Sequence, residues 1–444
     1  MSDVAVKTKD VTPQVSGSGA APDALAQHLA ALSLPEGGFA AAARRDALAR
    51  LREMGLPGPR DEYWRYTDPR PFNAPKPQAL PLGDDSAPAL FDDVDRLKLV
   101  FVDGAFDAAA SDDLALDGVQ IDILAAAESG DHWAASLFGT LEAAGQKPVR
   151  RPFAALNTVA ARDGVLIRVT GKPSRPIHVI HRRARADADA IWHHVIRVEE
   201  GAELTFLETG MSGARSNGLI EIDLAPGARL HHITSKRASD PRVGLSHIFA
   251  RVAERSELKS FALSVNGTLM RQESVIDIMG DDAVAHIAAA VLGDGDNGPF
   301  HQDDTVFITH GAERCESRQV FKKVLKNGAE GVFQGKILVK QCAQKTDGYQ
   351  ISQALLLDER SQFLAKPELE IYADDVKCSH GSTTGAIDET ALFYLRSRGV
   401  PKAQAIVFLV LSFLADALEE VESEELRERI YERLDAWLTE RAQG

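Results

Sequence analysis

Hydrophobic and polar positions divide this chain into three textures. Between about residues 165 and 380, short runs rich in β-branched and aromatic residues follow one another, each bounded by Gly, Asp or Asn; 191–198, 204–208, 219–224 and 230–233 are examples. Such runs predict strands. A small turn recurs between them: Glu200-Gly201-Ala202-Glu203, Pro226-Gly227-Ala228-Arg229, Glu254-Arg255-Ser256-Glu257 and Gly280-Asp281-Asp282-Ala283. Their second residues, 201, 227, 255 and 281, stand 26, 28 and 26 positions apart. Asn327-Gly328-Ala329-Glu330 and Glu359-Arg360-Ser361-Gln362 continue the series at looser spacing. A strand–turn unit repeated every ~20–30 residues marks a solenoid, whereas the turns of an antiparallel sandwich come every ~8–12. The pattern therefore predicts a mainly β chain with a parallel β-helix over residues 161–385. Such a stack needs its two ends covered, because open strand edges invite pairing.

The flanks read as helical. Residues 1–22 hold few large apolar groups and are expected to be a disordered tail. Residues 23–160 form an N-terminal helical or mixed region, with helical pattern at 23–31 and 38–54, the latter ended by Gly55 and Pro57. Within the Pro-rich stretch 57–88 lies Glu62-Tyr63-Trp64-Arg65-Tyr66-Thr67, whose rings predict a loop pinned to a domain surface. Residues 386–444 form a C-terminal helical region with helices at 388–396, 401–420 and 424–440. The middle one is apolar on most sides, so it must dock on the β-region or on another chain.

Charge narrows the function. The chain has 444 residues, with 50 Lys and Arg against 65 Asp and Glu, a net charge of −15. That balance argues against nucleic acid and against anionic membrane surfaces as partners. The longest strongly apolar stretch, 405–415, is far short of the ~20 residues a spanning helix needs. Cys315, Cys342 and Cys378 are too few for a disulfide framework. The expectation is a reduced, soluble, cytoplasmic protein.

Several motifs dissolve on inspection. Gly293-Asp294-Gly295-Asp296-Asn297-Gly298 has the letters of a dinucleotide fingerprint, but Pro299 follows and its aspartates would repel a pyrophosphate. Residues 331–337 resemble the end of a P-loop, yet Ile337 stands where a Ser or Thr would hold Mg²⁺. Neighbours on a strand face apart. The pairs His193-His194 and His231-His232 are therefore expected at the surface or in turns. Asp303-Asp304 and Asp374-Asp375 are expected to charge turns or edges.

The segment Tyr372-Ala373-Asp374-Asp375-Val376-Lys377-Cys378-Ser379-His380-Gly381-Ser382-Thr383-Thr384-Gly385 carries more. On an extended chain Cys378 and His380 share a face, about 6–7 Å apart. A thiolate and an imidazole at that spacing can reach one iron, one zinc or one cluster edge. They are two ligands where a closed site needs four. The alternative is a buried Cys packed beside a hydrogen-bonded His.

Together with Leu392-Phe393-Tyr394-Leu395-Arg396-Ser397-Arg398-Gly399, this segment resembles the SufB/SufD family of iron–sulfur cluster assembly proteins, on its SufD side. Tyr63-Trp64-Arg65-Tyr66-Thr67 and Pro152-Phe153-Ala154-Ala155-Leu156-Asn157-Thr158 support the likeness, which spans about residues 60 to 400. The resemblance implies a right-handed parallel β-helix between helical regions. It implies a non-catalytic scaffold that pairs with a SufB-like paralogue and carries a SufC-like ATPase on its C-terminal helices, with Leu395, Phe408, Leu411 and Leu414 as contacts. Cys378 and His380 map onto the motif tied to the subunit interface, where they would be transient ligands of iron or a nascent cluster. A reduced flavin is implied for such complexes, with no position in this sequence. Against the SufB subunit itself, residues 346–353 hold no cysteine, and the nearest is Cys342. A β-helical carbohydrate lyase or hydrolase, or a plain interaction scaffold, are the other readings.

Overall fold

A computed structural model describes residues 22–82, 90–127, 131–237, 240–296 and 298–443. The tail expected at 1–22 lies almost wholly outside them. The strands in chain order are β1 (Leu97–Val102), β2 (Ala105–Phe106), β3 (Val119–Ile123), β4 (Val165–Val169), β5 (Ile177–Arg182), β6 (Asp189–Val198) and β7 (Glu203–Gly210). There follow β8 (Arg215–Leu224), β9 (Arg229–Arg237), β10 (Val243–Val252), β11 (Glu257–Val265), β12 (Leu269–Ile278) and β13 (Val284–Asp294). The series ends with β14 (His301–His310), β15 (Glu316–Lys326), β16 (Glu330–Val339), β17 (Asp347–Leu356), β18 (Gln362–Ile371) and β19 (Lys377–Gly385). Odd strands from β5 to β19 stack in one sheet and even strands from β4 to β18 in the other. Each pairs in parallel with the strand two ahead, in unbroken register. This is the expected parallel β-helix.

The repeat read from the sequence is a corner column. Gly201 N–H bonds Pro226 O, Gly227 N–H bonds Glu254 O, and Arg255 N–H bonds Asp281 O. The column continues through Asp282 to Glu313 O and Arg314 to Gln344 O. Asn327-Gly328 and Glu359-Arg360 do not belong to it. They sit in the opposite corner, where the Asn327 N–H bonds an Asp358 carboxylate oxygen. Each rung has two corners with similar turn chemistry, so the sequence series crossed from one column to the other.

Period-two alternation sends Val179, Phe206, Ile196, Ile220, Leu230 and Leu258 into the lumen, where they form the central apolar core. The two ends of the stack differ. At the first end β2 and β3 pair antiparallel onto β1 and β4. At the far end β18 and β19 are the last strands of their sheets.

The helices are α1 (Pro22–Ala31), α2 (Ala41–Met54), α3 (Arg70–Asn73), α4 (Thr140–Ala144), α5 (Pro152–Ala160), α6 (Glu389–Ser397), α7 (Lys402–Leu418) and α8 (Glu424–Gln443). α5 is buried along its whole length, and Asn157 ties it to the carbonyls of Trp192 and Asn217 at 3.0 and 2.7 Å. The aromatic cluster is pinned as expected: Tyr63 meets Phe307 edge-on at 5.2 Å, and Trp64 lies against Phe153 and under the Arg271 guanidinium. α7 and α8 pack on the outer face of the odd-strand sheet, against Phe261, Leu263, Val320 and Val324. That docking covers one side of α7, at Val407, Val410, Leu411 and Leu414, and leaves Phe408 exposed. No helix among the described residues is long and apolar enough to cross a membrane.

Candidate functional site

Cys378 and His380 lie on β19, the last rung. The register pairs Cys378 with Gly348 and His380 with Gln350, both buried lumen-side positions. The two side chains therefore continue interior rows of the β-helix onto a rung that no later strand among the described residues covers. Cys378 is half-buried among Ile337, Val339, Ala343 and Val376. Its sulfur needs the glycine beneath it: a Cβ at Gly348 would lie 3.2 Å from Sγ. Burial raises the thiol above its ordinary value, and the neighbouring Asp347 charge adds to this. Cys378 is thus a thiol until a metal displaces its proton. His380 is exposed. Beneath it Gln350 donates to Gln319 at 2.8 Å, and the buried Gln350 Oε1 has no partner. The rung is bordered by Asp374 and Asp375, which occupy an exposed turn as expected, and by Tyr372, 59% exposed. Cys342 is exposed in the previous turn of that corner, and Cys315 is buried.

The C-terminal helices divide the four expected contact residues. Leu411 and Leu414 are 1% and 0% exposed and pack into the interface with the β-helix. A helix apolar on most sides does not reveal which side its own chain covers, and here these two face inward. They are not available to a partner as placed. Phe408 is 42% exposed and Leu395 is half-buried. The larger free apolar surface is on α6, where Phe393 is 73% and Tyr394 55% exposed while Leu392 anchors the helix.

The histidine pairs are not at the surface. His193, His194 and His232 are almost fully buried and His231 nearly so. Members of a pair do face apart, but each meets residues on neighbouring rungs. His193 bonds Glu221 at 3.0 Å outside the lumen. Inside it, Glu208 receives His181 Nε2 at 3.1 Å and His232 Nε2 at 3.0 Å, with His194 Nε2 at 3.6 Å. Desolvation alone would raise the Glu208 carboxyl, yet hydrogen bonds from His181 and His232 hold it well below the usual range. Burial lowers His194 to about 3. Asp303 and Asp304 are likewise buried in β14 rather than charging an edge. Facing apart, they found separate cations, Arg271 outside the lumen and Lys323 within it. These clusters escaped the sequence because adjacent residues were weighed as pairs. The signal was one rung away: His181 and Glu208 are 27 positions apart, Glu208 and His232 24.

The geometry defines a class: a parallel β-helix whose last rung presents a thiol and an imidazole on one face. Comparison with known proteins agrees. The sequence profile described as "SUF system FeS cluster assembly, SufBD core domain" matches residues 181–413. The chain is 30% identical over 412 residues to the iron–sulfur cluster assembly protein SufD of Escherichia coli, covering 87% of this chain and 90% of that protein. It is 26% identical over 412 residues to an iron–sulfur cluster assembly SufBD family protein of Synechocystis, covering 87% and 88%. It is 28% identical over 240 residues to the chloroplastic protein ABCI7 of Arabidopsis thaliana, covering 53% and 50%. The chain belongs to the SufBD family of iron–sulfur cluster assembly proteins, with the SufD proteins among its relatives.

Proposed function

We propose that this chain is a non-catalytic, cytoplasmic scaffold subunit of an iron–sulfur assembly complex, and that its open rung docks a SufB-like paralogue. The carrying observation is that β18 and β19 end their sheets uncovered while Cys378 and His380 project from that rung. An uncovered strand edge is a template for pairing with another chain. Two ligands leave an iron or nascent cluster unsaturated, so the remaining ligands come from the partner. A histidine in place of a thiolate makes for a more labile site, which suits cargo that must be handed on. The SufC-like ATPase docks on the free apolar surface of α6 and α7, at Phe393, Tyr394 and Phe408, with Leu395 at its margin. No residue is assigned to a flavin.

The test is co-expression with a SufB-like and a SufC-like partner. Tyr372→Asp, at an exposed position beside the open rung, is expected to weaken partner co-purification at least tenfold and leave the isolated chain's melting temperature unchanged. Undiminished co-purification would contradict docking at this rung.

A further inference from the structure

The inward-facing residues of β17 differ in what they offer the rung above them. Gly348 lies beneath Cys378, Gln350 beneath His380 and Ser352 beneath Ser382. Gly348 leaves room for the sulfur. Ser352 Oγ donates to Ser382 Oγ at 3.0 Å. Gln350 is fully buried, yet among the described residues its Oε1 has no hydrogen-bond partner. A buried acceptor left unpaired costs free energy, so such atoms are rare and call for a reason.

The amide of Gln350 is committed on one side only. Gln319, Gln350 and His380 are register partners on β15, β17 and β19 and form one row. The first step of that row is made: Gln350 Nε2 donates to Gln319 Oε1 at 2.8 Å. Glycine at 335 makes room for that end of the amide, because a Cβ there would collide with Nε2. The second step, from Gln350 to His380, is open, with the imidazole exposed and Oε1 free. Paired strands stand about 4.7–4.9 Å apart. The Gln319–Gln350 and Ser352–Ser382 bonds show that inward polar side chains here reach from rung to rung. A turn of the His380 ring toward the stack makes the missing bond.

We infer that Gln350 is a positioning residue for the cluster site: its Oε1 accepts the N–H of one His380 ring nitrogen, so that the other presents its lone pair away from the stack, toward the shared cargo. The inference rests on the ligand role proposed for His380. A neutral imidazole has one donor and one acceptor nitrogen, and its surroundings decide which is which. Metal-ligating histidines give their second nitrogen to an oxygen acceptor, which fixes both tautomer and ring orientation. An exposed imidazole on a last strand has no other group on this row to do so. The two positions beneath the ligands thus have different tasks: Gly348 accommodates the thiol, and Gln350 aims the ring.

The experiment uses the complex reconstituted anaerobically with SufB-like and SufC-like partners. The rate at which the assembled cluster is lost to an iron chelator is compared for the unsubstituted chain, Gln350→Met, His380→Ala and the double variant. Gln350→Met keeps the side-chain volume and removes the acceptor; it should speed cluster loss at least tenfold. Added to His380→Ala it should change nothing further, because its effect passes through that ring. Gln350→Glu, which keeps an acceptor in place, should return the rate near the unsubstituted one. A packing role would instead lower the melting temperature and act equally with or without His380. Should Gln350→Met fail to fold, Gln350→Asn, which withdraws the acceptor by one methylene, is read in the same cycle. Cluster loss at the unsubstituted rate in these variants, or the same acceleration on the His380→Ala background, would overturn the inference while a fast His380→Ala complex keeps the ligand reading. A His380→Ala complex that holds its cluster as the unsubstituted one does would overturn both.

Discussion

Acid should unfold this protein well above the pH at which carboxylates protonate, because its buried histidines are held neutral. Burial lowers His178 and His194 to about 3, and His231 and His310 to about 4. Each is close to 6.5 when unfolded. A group whose folded value is depressed in this way binds its proton only in the unfolded chain, so stability falls as pH drops below about 6.5. At about pH 5.5 the unfolded ring is some 90% protonated and the folded ring is not, which costs roughly 1.4 kcal/mol per histidine and roughly 5 kcal/mol for the four. The depressed Glu208 carboxyl acts in the same direction, but only below its ordinary value of 4.5. Glu142, Asp163 and Asp277, raised mainly by burial, act in the opposite direction and offset part of the loss. A loss near 5 kcal/mol is comparable to the whole stability of a typical domain. Urea denaturation at about pH 7.5 and about pH 5.5 should show a large fall in midpoint. His310→Gln, which removes a ring that bonds only Ser317 at 2.8 Å, should shrink that fall by the share of one histidine. Equal midpoints at the two pH values, or an unchanged fall in the variant, would refute the reasoning.

Two further outcomes follow from the packing. Asp303→Ala should destabilise the chain by about 1–3 kcal/mol in urea denaturation, because it removes one of the two carboxylates, Asp303 and Glu273, against which Arg271 is buried; a loss under about 0.5 kcal/mol would show that the pair is dispensable. Phe393→Asp with Phe408→Asp should abolish ATPase co-purification while leaving the melting temperature intact, whereas Leu411→Asp should unfold the C-terminal helices, as read by circular dichroism.

The parts of this structure that were legible in the sequence are those fixed by local chemistry. The corner column shows because Gly201, Gly227, Arg255 and Asp282 all adopt positive φ, which selects a few residue types at one spacing. Cys378 and His380 could be placed on one face because strand alternation is strict. The lumen cluster was not legible by the same means. Its members come from four strands, and only the adjacent pairs His193-His194 and His231-His232 drew notice in the sequence. What buries them is the pairing of rungs, which places Phe206 beside His232 and His232 beside Ser260. The inward face of α7 was hidden for a related reason: a helix apolar all round carries no mark of which side its own chain covers.

The central claim is that the open rung supplies ligands to a cluster shared with a partner. The most direct measurement is anaerobic reconstitution of the complex with SufB-like and SufC-like partners, comparing cluster absorbance per assembled complex for the unsubstituted chain and His380→Ala. A ligand role predicts normal folding and assembly with cluster yield reduced at least tenfold. A His380→Ala complex that assembles and builds clusters at the unsubstituted rate would contradict it.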